Sequence, residues 1–259
     1  MNQKARLDTI IHFLNEHQNI SVDEACKLLD ASPATVRRDF KLLSANGEVE
    51  KNWGGISRKI DYPSDMKPLT YRSTHFIEEK KAIARKASDL VQDGEVVMID
   101  GGTTTLELSK ILAHKKIRII TNSLLIVNNI HIERNGWEGA EVFLTGGFLY
   151  PDSGMLVGPE ANKNLMGYHA DWAFLSAGGI NESGLTNSNQ LVVETERTMI
   201  EQAEKTIVLA DYSKIGIKSM CQVCGFDKID RLVTNDKLED EHFALLQANG
   251  LDEQNIILV

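Results

Sequence analysis

The chain has 259 residues, 25% of them charged, with 37 acidic against 28 basic side chains and a net charge of −9. That length suits two domains, no apolar run approaches a membrane span, and the N-terminus lacks a charged segment leading into an apolar signal core. A cytoplasmic protein without membrane association is therefore expected, and three cysteines, Cys26, Cys221 and Cys224, are too few for a disulfide framework.

In chain order, Leu7, Ile10, Ile11 and Leu14 recur at helical spacing. Ser21 and Glu24 form a capping-box pattern opening a second short helix, with Val22, Ala25, Leu28 and Leu29 as its apolar face. Only Asp30 and Ala31 then intervene before Ser32, a good N-cap, and Pro33, which suits the first helical position because its missing N–H costs nothing there. In the third helix Val36, Phe40 and Leu43 make one buried stripe, while Thr35, Arg37, Arg38 and Lys41 fall off it. Asn46-Gly47 signals a tight turn, and Glu48 to Ile56 reads as a small β-wing carrying Lys51. A capped helix pair, a short turn and a wing make a helix-turn-helix over about residues 20–39. Arginine reads guanine edges, Thr and Ala touch thymine methyls, and Lys51 meets phosphate. Ser32, Ala34, Thr35, Arg37, Arg38, Lys41 and Lys51 are thus the candidate contacts to duplex DNA. The competing reading is a solvated three-helix bundle in which Arg37 and Arg38 only pair with Asp39 and neighbouring Glu side chains.

Charge separates the head from the rest. Residues 1–60 hold nine Lys and Arg against eight Asp and Glu, and the remainder nineteen against twenty-nine, so the head is +1 and the body −10. A head of +1 has little sequence-independent pull on phosphate, so tight binding needs several heads joined in a homo-oligomer, a dimer or tetramer. Residues 57–75, with Pro63, Pro68, Ser57, Ser64 and Ser73, have the composition of a connector. The expected division is a head at 1–58, a linker at 59–75 and a second domain at 76–259.

In the body, short apolar runs at 96–99, 117–120, 142–144, 173–175, 207–209, 232–233 and 256–258 alternate with helical patterns. Such alternation predicts an α/β domain with a mainly parallel sheet covered on both faces, with ligands at the carboxyl ends of its strands. Those ends carry Asp100-Gly101-Gly102-Thr103-Thr104-Thr105, Thr121-Asn122-Ser123, Thr145-Gly146-Gly147, Ser176-Ala177-Gly178-Gly179 and Asp211-Tyr212-Ser213-Lys214. Glycines let backbone approach an oxyanion, Thr and Ser donate hydrogen bonds, and a following helix offers its amides. One such turn is usually structural, but repetition along a rim reads as a cradle for a phosphorylated small molecule, with Lys214 adding charge and Asp100 suiting a sugar hydroxyl. Tyr150, Asp152, Asn187 and Asn189 are candidates for selecting the sugar.

The head resembles the N-terminal domain of the DeoR family of bacterial transcriptional regulators, whose Ser-x-x-Thr-Ile-Arg-Arg-Asp-Leu helix and Arg-x-His-Gly-Gly wing are matched by Ser32, Thr35, Arg37, Arg38, Asp39, Gly54 and Gly55. Lys51 stands where Arg is usual and Trp53 where His is usual, and Lys lacks the fork of Arg. The body resembles the family's C-terminal domain in its Asp-x-Gly-Thr-Thr, Thr-Asn-Ser, Gly-Gly and Asp-x-Ser-Lys motifs, and Glu78 to Ala84 matches the family's Glu-Lys-x-x-Ile-Ala helix less directly. The resemblance implies a Rossmann-like domain similar to ribose-5-phosphate isomerase that senses a phosphorylated sugar. It further implies Asp100, Gly101, Thr103, Thr104, Thr105, Thr121, Asn122, Ser123, Gly147 and Lys214 as effector contacts, to which the strand-end pattern adds Gly102, Gly146 and Gly178. A DNA-binding regulator is expected, a repressor of a carbohydrate-use operon, acting on operator DNA and needing no cofactor.

The rival class is a sugar-phosphate isomerase with a DNA-binding head. Enzymes of that fold place paired aspartates in an Asp-Gly-Ala-Asp turn, and this chain has Ser176-Ala177-Gly178-Gly179 there, leaving Asp100, Asp211 or Glu194 as substitute bases. No phosphate-binding Gly-x-x-x-x-Gly-Lys loop, dinucleotide Gly-x-Gly-x-x-Gly turn or hydrolase elbow is present. Catalysis is not expected. An RNA- or protein-binding adaptor ranks lower, since the head is poor in stacking aromatics. Cys221-Gln-Val-Cys224 has metal or redox spacing without a second pair, so ordinary thiols and no metal are expected.

Overall fold

The computed structural model of the protein describes every residue except 1, 18, 46–48, 53, 59–66, 68, 135–137 and 152, and every described side chain but those of Asn15 and Arg58. The Asn46-Gly47 turn, Trp53, Pro63, Ser64, Pro68 and Asp152 therefore lie outside the described residues. Two units divide the chain, 1–62 and 63–259.

The first unit runs α1 (Gln3–His17), β1 (Asn19–Ser21), α2 (Val22–Leu29), α3 (Pro33–Ala45), β2 (Val49–Asn52) and β3 (Gly55–Arg58). Both halves of the capping box are present: the Ser21 hydroxyl accepts from the Glu24 amide, and the Glu24 carboxylate accepts the Ser21 N–H at 2.9 Å. The Ser21 hydroxyl also donates to that carboxylate and holds it below its usual range. Asp30, at a φ of 46°, reverses the chain. Ser32 then caps α3, its oxygen accepting from the Thr35 amide at 3.4 Å. Val36, Phe40 and Leu43 close on Ile10, Leu14, Ala25 and Leu29 in one small core. Leu28, expected in that core, is 41% exposed, because the short α2 buries only the stripe of Ala25 and Leu29. The wing is β2 and β3, joined by β1, which no sequence signal marks, in the order β1-β3-β2. Gly54 turns at a φ of 89°, and a Cβ on Gly55 would overlap the Ile20 carbonyl. Each glycine of the pair thus has its own steric reason.

The second unit starts with α4 (Leu69–Thr74) and α5 (Ile77–Ser88). It continues through β4 (Val96–Ile99), α6 (Thr103–Leu112), β5 (Arg118–Thr121), α7 (Leu124–Glu133), β6 (Glu141–Leu144), the ribbon β7 (Phe148–Tyr150) and β8 (Met155–Val157), α8 (Pro159–Leu165) and β9 (Ala170–Ser176). It ends with β10 (Gly179–Asn181), β11 (Gly184–Asn187), α9 (Gln190–Glu201), β12 (Ala203–Leu209), β13 (Cys221–Cys224), β14 (Arg231–Thr234), α10 (Asp240–Ala248) and β15 (Ile256–Leu258). Seven strands form one sheet in the order β15-β14-β12-β9-β4-β5-β6, with every pairing parallel. They are the seven apolar runs of the sequence. Side chains alternate between its faces: Val97 and Ile99 pack with Ile83, Leu108 and Ile126 of α5, α6 and α7, while Met98 packs with Val193, Met199 and Leu246 of α9 and α10.

The chain enters this sheet at its middle, runs outward through β5 and β6, returns beside β4 as β9 and leaves the other way through β12, β14 and β15. The reversal between β4 and β9 is a topological switch point, where the loops above the strands diverge and leave a crevice.

Two readings change. The stretch expected to be a linker, 59–75, contains α4, which lies in the second unit. Its anchor is the buried Lys80 ammonium, which donates to the carbonyls of Arg72 and His75. An anchor of that kind leaves no apolar stripe in the sequence. An antiparallel sheet β10-β11-β13 was also not anticipated, and it takes up Cys221 and Cys224. A bulge in β13 shifts the register between them, both pack against the same apolar cluster, and burial pushes the Cys224 thiol up to about 12.

Candidate functional site

In the head, Ala34, Arg37, Arg38 and Lys41 are all exposed. Their spacing of three, one and three puts them on one face of α3, opposite Val36, Phe40 and Leu43. Asp39 is turned inward, only 1% exposed, and its carboxylate is gripped by Arg6 of α1, at 2.7 Å to Nε and 3.1 Å to Nη2. The acid beside the two arginines therefore braces α3 against α1. Among the described residues no ion pair involves Arg37 or Arg38. The bundle alternative, with Asp39 neutralising these arginines, does not hold. Thr35 is half-buried, Ser32 serves as the cap, and Lys51 is exposed on β2.

In the body, a cavity of about 170 Å³ lies above the carboxyl ends of β4, β9 and β12, beside the switch point. From the sheet come Thr103 and Thr104, Ser176 and Ala177, and Asp211, Ser213 and Lys214. From the other side come Lys67, Tyr71, Arg72, His75, Phe76 and Lys80. Among the described residues four cations thus surround one carboxylate, and Asp211 already accepts both the amide and the hydroxyl of Ser213. Thr103 and Thr104 open α6, whose N-cap Gly102 makes no side-chain cap, so the positive end of the helix faces the same space. A Cβ on Gly102 would overlap the Ser176 side chain. This glycine lets the β4 and β9 loops meet.

The wall opposite the sheet is tied together by its own side chains. Arg72 Nε donates to the Lys67 carbonyl at 3.0 Å, Tyr71 stacks on His75, and the Lys67 ammonium lies 4.7 Å from the Tyr71 ring centroid. Phe76, between α4 and α5, sits at a φ of 55° and meets Tyr212 edge-on. Left-handed backbone at a bulky residue is strained. Burial lowers the Arg72 guanidinium, and burial lowers the Lys80 ammonium from 10.5 to about 8, opposed by Asp211 and reinforced by Lys214. A second anion entering this space relieves that unfavourable concentration of positive charge.

Of the effector candidates, Thr103, Thr104 and Lys214 line the cavity. Asp100, Gly101, Gly102, Thr105, Thr121, Asn122, Ser123, Gly146, Gly147 and Gly178 are not among its lining residues, and they do other work. Asp100 is buried beneath the rim and accepts from Asn122 Nδ2 at 2.9 Å, while Asn122 Oδ1 accepts the Gly101 amide at 3.1 Å. The Thr121 hydroxyl donates to the Ile99 carbonyl, and Ser123 caps α7. Gly146 and Gly147 turn at φ values of 70° and 112° beyond β6, two strands away from β4. A Cβ on Gly178 would crowd the β11 backbone. Asn187 donates to Glu196 at 2.8 Å, Asn189 caps α9, Tyr150 is half-buried on β7, and Glu194 accepts from Gln190; none of these lines the cavity. Asp100 and Glu196 form a coupled buried pair. Burial raises both carboxyls, and the charge of Asp100 raises Glu196 further. Sequence reasoning missed Lys67, Tyr71, Arg72, His75 and Phe76 of the α4 wall. The one available signal was Lys80, in the segment matched only loosely to the family.

The head and the α/β body together define a helix-turn-helix transcriptional regulator. The chain belongs to the DeoR family: residues 6–59 match the DeoR-like helix-turn-helix domain and residues 75–236 the DeoR C terminal sensor domain. It is 34% identical to the HTH-type transcriptional repressor GlcR of Bacillus subtilis (strain 168), over 97% of this chain and 96% of that protein. With the HTH-type transcriptional regulator UlaR of Shigella dysenteriae serotype 1 (strain Sd197) it shares 29% identity over 97% of this chain and 98% of the relative. Among solved structures, ribose 5-phosphate isomerase A of Methanocaldococcus jannaschii aligns over 53% of this chain and 54% of its own, at 19% identity and a TM-score of 0.38. Among the described residues no helix is long and apolar enough to cross a membrane.

Proposed function

We propose that this regulator is a repressor whose grip on operator DNA is set by a phosphorylated sugar held in the cavity at the switch point. The observation that carries this reading is the composition of that cavity: Lys67, Arg72, Lys80 and Lys214 around the uncapped start of α6, with Asp211 as the one carboxylate among its described lining residues. Four cations and a helix N-terminus suit a dianionic phosphate, and Asp211 and Ser176 suit the hydroxyls of a sugar. Repression is supported by the name of the GlcR relative.

A bound phosphate that touches Arg72 and Lys80 on one side and Thr104 and Lys214 on the other ties α4 to the sheet. The chain reaches α4 from the head through residues 59–66, so fixing α4 changes how the heads are held. A coupling of about 1–3 kcal/mol, typical of allostery, changes operator affinity by roughly 5–150-fold. Heads paired in a homo-oligomer read half-sites about 34–36 Å apart, or multiples of that.

Binding without turnover is the better reading of the same cavity. Asp211 already accepts two bonds from Ser213 on one oxygen, Asp100 lies under the rim, and Glu194 is outside the lining, so the described lining holds a single, partly engaged carboxylate. The test is a thermal-shift screen against pentose and hexose phosphates with the free sugars as controls. A ligand at one hundred times its dissociation constant adds about 2.7 kcal/mol. A shift with the free sugars alone, or with neither set, overturns the reading.

A further inference from the structure

We infer that Phe76 is a specificity-determining residue: its ring packs on the carbon–hydrogen face of a closed sugar ring whose phosphate is held by the cations of the cavity, so that cyclic sugar phosphates bind ahead of open-chain ones. The inference rests on the reading of that cavity as a sugar-phosphate site and adds which form of sugar it takes.

Phe76 breaks two local rules at one position. At a φ of 55° its backbone is left-handed, and the other non-glycine residue with a positive φ among those described is Asp30, of a type whose short polar side chain suits that conformation. Phe76 is also the N-cap of α5: its carbonyl accepts from the Lys80 amide at 3.0 Å, but its side chain makes no capping bond to the first turn. Asn or Asp meets both requirements, and phenylalanine meets neither. A residue held against both preferences points to work done by its side chain. Packing accounts for only part of that work. The ring meets Tyr212 edge-on with centroids 5.4 Å apart, yet Phe76 remains 37% exposed in the wall of the cavity.

No other hydrocarbon surface in the described lining is open in this way. Ala177, Leu209 and Ala210 are each 8% exposed or less, and the Tyr71 ring is engaged by His75, stacked at 3.4 Å, and by the Lys67 ammonium. Cations around a helix start, with one open aromatic ring beside them, call for a ligand with an anionic end and a flat apolar face. A sugar closed into a ring has such a face of C–H groups, and stacking it on Phe76 takes apolar area of both out of water. An open chain of the same carbons presents hydroxyls along its length and loses more rotor freedom on binding.

Isothermal titration calorimetry of the full chain compares two matched pairs, glucose 6-phosphate with glucitol 6-phosphate and ribose 5-phosphate with ribitol 5-phosphate, in which the second member cannot close. In the wild type the ring member of at least one pair is expected to bind about tenfold tighter, the scale of one aromatic contact. Phe76→Asn is expected to bring that ratio to within about twofold of one, with a melting temperature at or above the wild-type value because Asn suits the left-handed backbone and caps α5. Phe76→Tyr is expected to keep the ratio. The ratio cancels any change in phosphate grip common to both members, which is all that a purely structural role would alter. Should Phe76→Asn fold poorly, Phe76→Gly, equally at ease at this φ, is read the same way. A wild type that binds sugar phosphates without favouring the ring member, a ratio that Phe76→Asn leaves intact, or one lost equally in Phe76→Tyr overturns this inference and leaves the cavity's assignment standing. A wild type that binds neither member of either pair overturns the sugar-phosphate reading and this inference with it.

Discussion

Replacing Lys80 by methionine separates the charge of the cavity from its shape. The ammonium is lowered from 10.5 to about 8 in the fold. At about 1.36 kcal/mol per pH unit this is worth at most about 3 kcal/mol, and about 2 kcal/mol once water at the cavity mouth is allowed for. Methionine removes that cost and keeps the stem, but leaves the carbonyls of Arg72 and His75 without their donor, at about 1 kcal/mol each. The two effects nearly cancel. Stability of Lys80→Met is expected within about 1 kcal/mol of wild type, a melting shift of only about 2–4 °C for a domain of this size. Affinity for a phosphorylated sugar, by contrast, falls by about 1.5–3 kcal/mol with the loss of a charge-assisted bond, roughly 10–150-fold. Thermal unfolding and isothermal titration calorimetry read the two quantities separately. The wild type supplies a matching pH test. Because the unfolded chain holds this proton more tightly than the fold, stability contributed by Lys80 rises with pH between about 8 and 10.5. Effector affinity moves the opposite way, weakening above about pH 8, with proton uptake on binding visible in buffers of different ionisation heat. A variant destabilised by more than about 3 kcal/mol with unaltered affinity would make Lys80 a brace for α4 alone and refute the reasoning.

Arg37→Ala and Arg38→Ala should each cost about 1–3 kcal/mol of operator binding and relax specificity at one base position, whereas Lys51→Ala should weaken all sequences alike and flatten the salt dependence by about one phosphate contact; gel-shift titrations at several salt concentrations distinguish these, and full affinity in both arginine variants would remove α3 from the groove. The double variant Thr104→Ala, Lys214→Ala should keep operator binding and lose its response to sugar phosphate; a retained response would move the pocket elsewhere. Glu196→Gln should preserve the hydrogen bond to Asn187 and match or exceed wild-type stability at pH 8, because ionising a raised carboxyl costs the fold stability as pH rises, while Glu196→Ala should melt lower; chemical denaturation at pH 6 and 8 checks the sign. Isomerisation of pentose or hexose phosphates should stay at background, and turnover that Asp211→Asn abolishes would restore the enzyme reading.

Much of this molecule was legible before folding because the signals involved are local. The capping box at Ser21 and Glu24, the Ser32 cap and the stripe of Val36, Phe40 and Leu43 depend on residues three or four apart, and each strand of the large sheet announces itself as a short apolar run. Local signals also picked out Thr103, Thr104 and Lys214, which line the cavity. Strand order was beyond their reach. Five strand ends in the sequence carry similar polar chemistry, and only the reversal between β4 and β9 decides that the ends of β4, β9 and β12 share a crevice while Thr121, Asn122, Gly146 and Gly147 stand off to one side. The inward turn of Asp39 to Arg6 and the seating of α4 on Lys80 are likewise contacts between distant or uncharacteristic residues. Periodicity records which face of an element is apolar. It carries no information about which elements become neighbours, and that is a property of the packed chain alone.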